Sequence, residues 1–364
     1  MTDLLPDVRK DPKMLDALRR IAPGTTMRQG LNDILRARLG ALIVIGEPAE
    51  LSFMFSGGIR LDQAFSPYLL YELAKMDGAI ILNAVATRIV YANVQLMPDP
   101  TIPSAETGTR HRTAERVAKQ TGALVISISQ QRDVVTIYVG DVRYQLEDIS
   151  DILAKTNQAV MTLETYRTRF EQVATRLTAL EFQGAATLDD VVVALQRAEM
   201  TARMRDEIER NVAELGVEGR LIKIQLDEMS EWVPGDEVAM VRDYELPEVT
   251  GGHRRALDRL RTMPDSQLLE LEQLAEVLGY PRTVSPVDYA VTPRGYRVLS
   301  KVPRLPEGVI GHVVNHFNGL EAFVRASQAE LEEVEGVGAV RAREIREGLR
   351  RLQEQNLVDR YLNL

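Results

Sequence analysis

Apolar residues recur along this chain with more than one period, and each period predicts a different structure. Ala41-Leu42-Ile43-Val44-Ile45 is an unbroken apolar run. It has the length of a strand and no polar position, which predicts a strand covered on both faces. Ala79–Leu82, Arg88–Val94, Ala123–Ser129 and Val134–Val139 are rich in β-formers and predict further strands. Ser66-Pro67 puts a capping hydroxyl before a proline suited to the first helical position, so a helix is expected through Tyr68–Met76. A second helix, from about Arg110 to Gln120, is closed by Gly122. Strands with interspersed helices predict one sheet-and-helix domain ending near Leu146.

Beyond Leu146 the pattern changes. Ile152, Thr156, Ala159, Leu163, Tyr166, Phe170, Val173, Leu177 and Leu180 alternate steps of four and three, a heptad seam on one long helix. Roughly 30 residues make a rod of about 45 Å. Such a helix packs on its own domain or acts as a spine that holds two domains apart. The length favours the spine, because helices of globular domains are usually much shorter. A mostly helical middle follows, clearest over Leu188–Leu215 and interrupted at Gly184, Gly216, Gly219, Pro234 and Gly235. Tyr280–Pro306 is rich in proline and turn residues and reads as a connector. From about Leu305 two similar halves appear. Leu305-Pro306-Glu307-Gly308-Val309-Ile310 precedes a helical stretch through Phe317, and Val334-Glu335-Gly336-Val337-Gly338 precedes a helix from Ala339 to about Leu352. Each half predicts two helices joined by a short glycine turn.

Composition narrows the classes. A chain of 364 residues, 45% of them apolar, is long enough for two or three packed domains and is not disordered. It contains no cysteine, which excludes disulfides and thiolate metal sites and suits a reducing cytoplasm. Met1–Asp11 offers no apolar signal core, and the longest apolar runs are too short to span a bilayer. A cytoplasmic protein with no membrane contact is therefore expected. The formal charge of −9 excludes a chain that coats nucleic acid by bulk charge, so any DNA contact has to be a local basic patch. No Gly-Lys pair exists to form a P-loop, and there is neither a Gly-x-Ser-x-Gly elbow nor a His-Glu-x-x-His helix. His312 and His316 share a helix face, but no third ligand accompanies them, and they read as surface or structural residues.

Two short segments carry candidate chemistry. Thr107-Gly108-Thr109-Arg110-His111-Arg112-Thr113-Ala114-Glu115-Arg116 opens a helix directly after a glycine turn. A helix start presents free N–H groups and a positive dipole end, and the arginines, histidine and threonines add donors of different geometry. A solvated basic helix end is the plain alternative. The coincidence of turn, hydroxyls and cations favours a phosphate site. The second segment is Asp77-Gly78-Ala79, at a helix-to-strand junction. There a carboxylate is free to hold Mg²⁺ or Mn²⁺, and a glycine lets a base or sugar approach the backbone. Alone, Asp-Gly is a common turn.

Together, Asp77-Gly78-Ala79 and Arg110-His111-Arg112-Thr113-Ala114-Glu115-Arg116 resemble the bacterial diadenylate cyclase family. The likeness extends to the members with a helical spine and a C-terminal hairpin module. The resemblance implies an α/β cyclase domain with a mixed sheet, a long helical spine, and an all-α helix-hairpin-helix domain. It implies boundaries at 1–147, 148–300 and 301–364. It assigns Asp77 as the metal carboxylate, Gly78 and Leu96 to the ATP pocket, and Thr109, Arg110, His111, Arg112 and Thr113 to the triphosphate. It implies condensation of two ATP into cyclic di-AMP, and an octameric assembly. The two-fold product itself requires two domains facing each other.

The C-terminal segment Leu331–Ile345 fits the helix-hairpin-helix pattern. Leu331, Val334, Val340 and Ile345 are expected to pack its helices, and Gly336 and Gly338 to bring backbone N–H groups to a phosphate around Val337. Arg341 and Arg343 lead a basic helix that suits DNA backbone contact, without sequence preference and with branched DNA as the favoured form. A hairpin serving only helix packing or subunit contact is the alternative. For the whole chain, the rival reading is a DNA-structure-binding protein whose nucleotide domain only senses ATP.

Overall fold

The computed structural model describes residues 8–229, 234–247, 252–317 and 319–362. Most of the segment read for a signal core, residues 1–7, lies outside them. The chain divides into two compact units, Met1–Gln158 with Glu207–Gln225, and Ala159–Asp206 with Leu226–Leu364.

The first unit contains α1 (Pro12–Ile21), α2 (Thr26–Arg36), β1 (Ala41–Ile45), α3 (Pro48–Leu51), β2 (Phe55–Ser56), β3 (Ile59–Ala64), α4 (Pro67–Leu73), β4 (Ala79–Leu82), β5 (Arg88–Leu96), α5 (Thr109–Thr121), β6 (Leu124–Ser129), β7 (Val134–Val139) and β8 (Val142–Gln145). The strands form one mixed sheet in the order β2-β5-β4-β1-β6-β7-β8, with β3 also paired to β5. β1 and β4 are parallel, Ile43 lying opposite Ile80, and β1 is antiparallel to β6. Alternation along the strands splits the core into two faces. Ile43, Ile45, Ile80 and Leu82 pack with Leu18, Leu31 and Leu70 from α1, α2 and α4. Leu42, Val44 and Ile81 pack with Ala114, Val117 and Ala118 from α5. Two covered faces are why β1 and β4 lack polar positions.

α4 stops at Leu73, short of the expected Met76, because the chain has to turn through Asp77 and Gly78 into β4. Ser66 caps it as expected, its hydroxyl accepting from Leu69 N–H at 3.1 Å. Gly122 closes α5 in the left-handed conformation, φ 70°. β2, β3 and β8 were not anticipated. β3 is exposed along nearly its whole length, and its Ile59-Arg60-Leu61-Asp62 alternation is too short to reveal it.

The helices after the sheet are α6 (Ile149–Gln183), α7 (Leu188–Leu215), α8 (Arg220–Met229), α9 (Pro234–Tyr244), α10 (Gly252–Thr262), α11 (Asp265–Leu268), α12 (Leu271–Val277), α13 (Tyr296–Ser300), α14 (Glu307–Phe317), α15 (Leu320–Arg325), α16 (Gln328–Glu332) and α17 (Ala339–Leu362). α6 is the long helix that the heptad seam predicted, and its seam residues are buried or half-buried throughout. Ile152 and Thr156 lie in its first-unit portion, and Phe170 and Leu177 join the second unit's core with Leu188, Val191 and Leu195 of α7. The end of α7 returns to the first unit, where Glu214 accepts from the Tyr144 hydroxyl at 2.9 Å. No helix of the described residues is long and apolar enough to cross a membrane.

Tyr280–Pro306 is more than a connector. It contains α13 and the fully buried Arg297. In the C-terminal region, α13 and α14 form one helix–turn–helix pair and α16 and α17 another. Their turns match: Val302 N–H bonds Leu299 O, as Val334 N–H bonds Leu331 O. The left-handed residue is Arg304 in the first turn, φ 62°, and Gly336 in the second, φ 80°. The first turn therefore has no glycine, and Gly308, expected in it, lies inside α14. Leu331, Val334 and Ile345 are buried as expected, but Val340 is 60% exposed. It follows the turn on the outward face of α17, and Ala342 and Leu349 pack inward instead.

Candidate active site

The two sequence segments meet at one end of the sheet's central strands, where β4 begins and β1 begins. Asp77 stands fully exposed at the end of the α4–β4 turn, and its Oδ1 lies 3.4 Å from Arg110 Nη2 at the start of α5. Arg110 reaches it by crossing Gly40, just before β1. A Cβ on Gly40 would fall 2.1 Å from Arg110 Nη1, so any larger residue there would make the guanidinium shift from this position. Gly40 was not singled out from sequence, since nothing local marks it.

Gly78 answers a different crowding. Its missing Cβ would lie 2.4 Å from the Asn93 carbonyl carbon and 2.5 Å from Asn93 Cα. Asn93 is itself left-handed, φ 53°, at the irregular register where β5 crosses β4. On this side, the space expected for a base or sugar holds the backbone of β5. Leu96, near the end of β5, is 9% exposed and packs in the α5-side core with Met54 and Val117.

α5 begins after Gly108, which makes no side-chain cap. A glycine there adds no bulk in front of the first-turn N–H groups, which suits an anion. Thr109 is exposed, Arg110, His111 and Thr113 are half-buried, and Arg112 is exposed. Arg112 donates from Nε to Glu106 O at 3.3 Å and from Nη2 to Thr107 O at 3.1 Å, so here it braces the loop before the helix. The same loop is tied down further along α5. Glu115 accepts from Ala105 N–H at 3.2 Å and from Ser104 Oγ, and Arg116 Nε donates to Ile102 O at 2.9 Å.

A second layer lies behind the helix start. His111 Nδ1 is 3.0 Å from the Tyr138 hydroxyl, which donates to Glu106 Oε1 at 2.8 Å. Arg143 Nε donates to the same oxygen at 2.6 Å. Burial alone would raise the Glu106 carboxyl, but the bonds from Tyr138 and Arg143 outweigh it and hold the group below its ordinary value. Burial lowers His111, and the positive charges of Arg143, Arg132 and Arg110 add to that against the opposing pull of Glu106. Burial, then the bond to Glu106, pushes the Tyr138 phenol well up, so it keeps its proton. Glu106, Tyr138 and Arg143 were missed from sequence, because each looks ordinary in its own segment.

Among the described residues no cluster of three or more histidines or carboxylates exists to cage a metal. Asp77 offers a single open carboxylate. That suits a hard cation of the Mg²⁺ type, which takes one or two protein carboxylates and completes its shell with water and substrate phosphates.

At the C-terminal turn, Gly336 is exposed and accepts from Arg341 Nη1 at 2.6 Å. Gly338 has open space where a Cβ would stand. Val337 points the other way. It is 4% exposed and donates its N–H to Val334 O at 3.0 Å, anchoring the turn. Arg343 is exposed on α17. His312 donates from Nδ1 to Glu335 O at 2.9 Å, tying α14 to this turn.

Comparison with known proteins places these features. The family described as DisA bacterial checkpoint controller nucleotide-binding matches residues 28–142, and the DisA bacterial checkpoint controller linker region matches residues 146–287. The DNA integrity scanning protein DisA of Carboxydothermus hydrogenoformans is 51% identical over 95% of this chain and 98% of the relative. That of Clostridium tetani is 48% identical over 98% of each. Among solved structures, DacA from Staphylococcus aureus is 24% identical over 37% of this chain and 90% of its own, with a TM-score of 0.30. With about half its residues shared with these relatives over nearly its full length, the chain belongs to the DisA family of bacterial diadenylate cyclases.

Proposed function

We propose that the site formed by Asp77 and the start of α5 is where this cyclase condenses two ATP into cyclic di-AMP and two pyrophosphates. The observation that carries the assignment is the meeting of an open carboxylate, Asp77, with Arg110 at the uncapped end of α5. Arg110, the first-turn N–H groups, Thr109 and Thr113 hold the triphosphate, and Arg112 keeps the preceding loop in place to do so. Gly78 and Leu96 shape the pocket through the β4–β5 backbone. Asp77 would hold Mg²⁺ or Mn²⁺. Bound there, the ion would polarise the attacking hydroxyl and offset charge developing on the phosphate. The chain's own contribution is positioning and charge complementarity around the in-line attack of a ribose 3′-hydroxyl on the α-phosphorus. One site supplies one ATP, so two such domains have to face each other. A homo-octamer in the cytoplasm is the assembly that the family likeness suggests.

The relatives' name, DNA integrity scanning protein, supports a DNA role for the C-terminal helices. We read residues 301–364 as a helix-hairpin-helix domain, 148–300 as spine and linker, and 1–147 as the cyclase domain. Gly336 and Gly338 present the turn backbone to a phosphate, Val337 anchors that turn, and Arg341 and Arg343 add charge. Such contacts favour DNA shape over sequence, and a branched junction engages more than one subunit.

The test is turnover of ATP with Mn²⁺ by purified protein, read by mass spectrometry with no DNA, linear duplex or a four-way junction. Cyclic di-AMP is the expected product, with a rate that the junction changes more than the duplex does. Unchanged ATP, or label transferred to DNA ends, defeats the cyclase assignment. Equal rates in all three, with junction binding verified, remove the coupling alone. Gly336→Asp with Gly338→Asp should abolish the junction's effect.

A further inference from the structure

The bonds around Glu106 fix which ring nitrogen of His111 carries the hydrogen that faces Tyr138. Glu106 Oε1 receives both the Tyr138 hydroxyl at 2.8 Å and Arg143 Nε at 2.6 Å. An ionised carboxylate only accepts, so the single phenolic hydrogen is committed to it. The Tyr138 oxygen then has only lone pairs left for His111. The 3.0 Å contact is therefore a donation from His111 Nδ1–H. In a neutral ring the other nitrogen, Nε2, must carry the lone pair.

The groups facing this imidazole also bear on its charge. Tyr138 comes from β7, Glu106 from the loop before α5, Arg143 from β8, Arg132 from the β6–β7 turn and Arg110 from α5 itself. The ring is half-buried, and three guanidinium groups act on it against one carboxylate.

We propose that Glu106 and Tyr138 are positioning residues for the cyclase reaction, holding His111 as the neutral Nδ1–H tautomer with Nε2 as a hydrogen-bond acceptor beside the phosphate cradle. The inference rests on the cyclase reading of this site and deepens it. It also changes what His111 does there. A bare ring nitrogen repels a phosphate oxygen, since both bring lone pairs, so its partner on ATP is a donor, a hydroxyl or an amine. Arg110 and the helix N–H groups are left to take the phosphates. Within one short motif Arg110 serves negative charge, Arg112 braces the loop, and the histidine between them serves a proton.

The geometry also fixes who depends on whom. Tyr138 is 1% exposed and sits in the α5-side core, so it does not reach ATP itself. It acts through His111, and Glu106 acts through Tyr138. Removing the partner that orients a metal-site histidine typically lowers activity about 10–100-fold, and a loss of the same order is expected here.

The experiment uses the full-length protein with Tyr138→Phe, Glu106→Gln and His111→Gln, singly and combined. ¹⁵N-histidine labelling reports only four histidines, and His111→Gln assigns the signal. Wild type should show His111 as the Nδ1–H tautomer. Tyr138→Phe should release it toward Nε2–H and lower kcat about 10–100-fold, with KM for ATP within about twofold. Glu106→Gln keeps the shape but can turn its amide to donate, so it should shift the tautomer partly and lower kcat less. In the His111→Gln background, adding Tyr138→Phe should cost nothing further.

Three results overturn the proposal: an Nε2–H tautomer in wild type, unchanged kcat in a folded Tyr138→Phe protein, or a Tyr138→Phe loss that persists in full without His111. Absence of cyclic di-AMP from the wild type would instead defeat the cyclase reading on which it rests.

Discussion

Two of the chain's arginine–carboxylate pairs sit in opposite settings. Arg110 meets Asp77 at 3.4 Å, with the carboxylate fully exposed and the arginine a third exposed. Arg297 meets Glu181 with both side chains fully buried. In the second pair both carboxylate oxygens are engaged, Oε2 by Arg297 Nη2. Glu181 accepts from Arg297 Nε at 3.2 Å and from the Tyr244 hydroxyl at 2.6 Å, and Arg297 Nη1 donates to Ala174 O at 3.4 Å. Next to it, Asp243 accepts the N–H groups of Gly295, Tyr296 and Arg297 at 2.6–2.9 Å, fixing the start of α13. The buried pair is locked by its surroundings and does structural work. The exposed pair is long, loosely held and open to a third party. A carboxylate that is to exchange an arginine for a metal ion, and an arginine that is to exchange a carboxylate for a phosphate, have to be held in this way.

The comparison breaks most sharply at Asp77. Asp77→Asn keeps the side chain's size and removes its charge, so cyclic di-AMP synthesis should fall below detection while the melting temperature stays at the wild-type value. Normal turnover by the folded variant would remove the metal role.

The matching change at the buried pair should do the reverse. Arg297→Met strands Glu181 in the second unit's interior without its cation, a loss of about 3–5 kcal/mol in stability. Chemical denaturation measures it, and a loss of less than about 1 kcal/mol would mean that the pair is not the lock described here.

Arg110→Ala sharpens the contrast from the other side. It removes a charge-assisted contact to ATP worth about 1.5–3 kcal/mol, readable by calorimetry, and stability should move by no more than about 0.5 kcal/mol. Unchanged ATP affinity would detach Arg110 from the phosphate site. Arg112→Ala should weaken ATP binding less directly, by loosening the loop whose carbonyls it holds.

How much of this was legible in the sequence depended on how local the cause was. β1 and β4 fall on the expected residues because a strand covered on both faces needs an unbroken apolar run, and β7 does because its β-branched and aromatic residues mark it. α7 spans Leu188–Leu215 as expected, and α6 follows its heptad seam. Asp77 and the Thr109–Thr113 segment were found because turn, cap and charge coincide within a few residues. Tertiary causes were invisible. Tyr138 reads as one more apolar strand residue, and Glu106 as a loop acid, until the fold sets the Tyr138 hydroxyl between Glu106 and His111 of α5. Arg297 sits in a segment whose prolines suggest a connector, and Gly40 matters only because Arg110 passes over it. The first C-terminal turn was misplaced for a related reason. Arg304 holds the left-handed position that the second turn gives to Gly336, so looking for glycine led to Gly308 instead.

A third carboxylate lies between the two extremes and gives the smallest, most discriminating effect. Glu237, on α9, is buried, and among the described residues its Oε1 has no hydrogen-bond partner. The nearest cation that pairs with it, Arg261 Nε, stays 3.9 Å away. Burial, with Glu199 nearby, pushes its carboxyl up to about 7. A carboxyl raised in the folded state binds its proton more tightly there than in the unfolded chain. Folding is therefore penalised as the pH rises above the ordinary carboxylate value, and the full penalty is reached above about pH 7. Glu237→Gln keeps the shape and cannot ionise, so it removes the penalty. It should stabilise the protein on the order of 1 kcal/mol at about pH 8 and change little at about pH 4, where the native side chain is already neutral. Denaturation at the two pH values checks the sign. Equal effects at both, or a loss at the higher one, would mean that Glu237 is held as a charged partner of Arg261, which would place it with Glu181 as a satisfied buried acid.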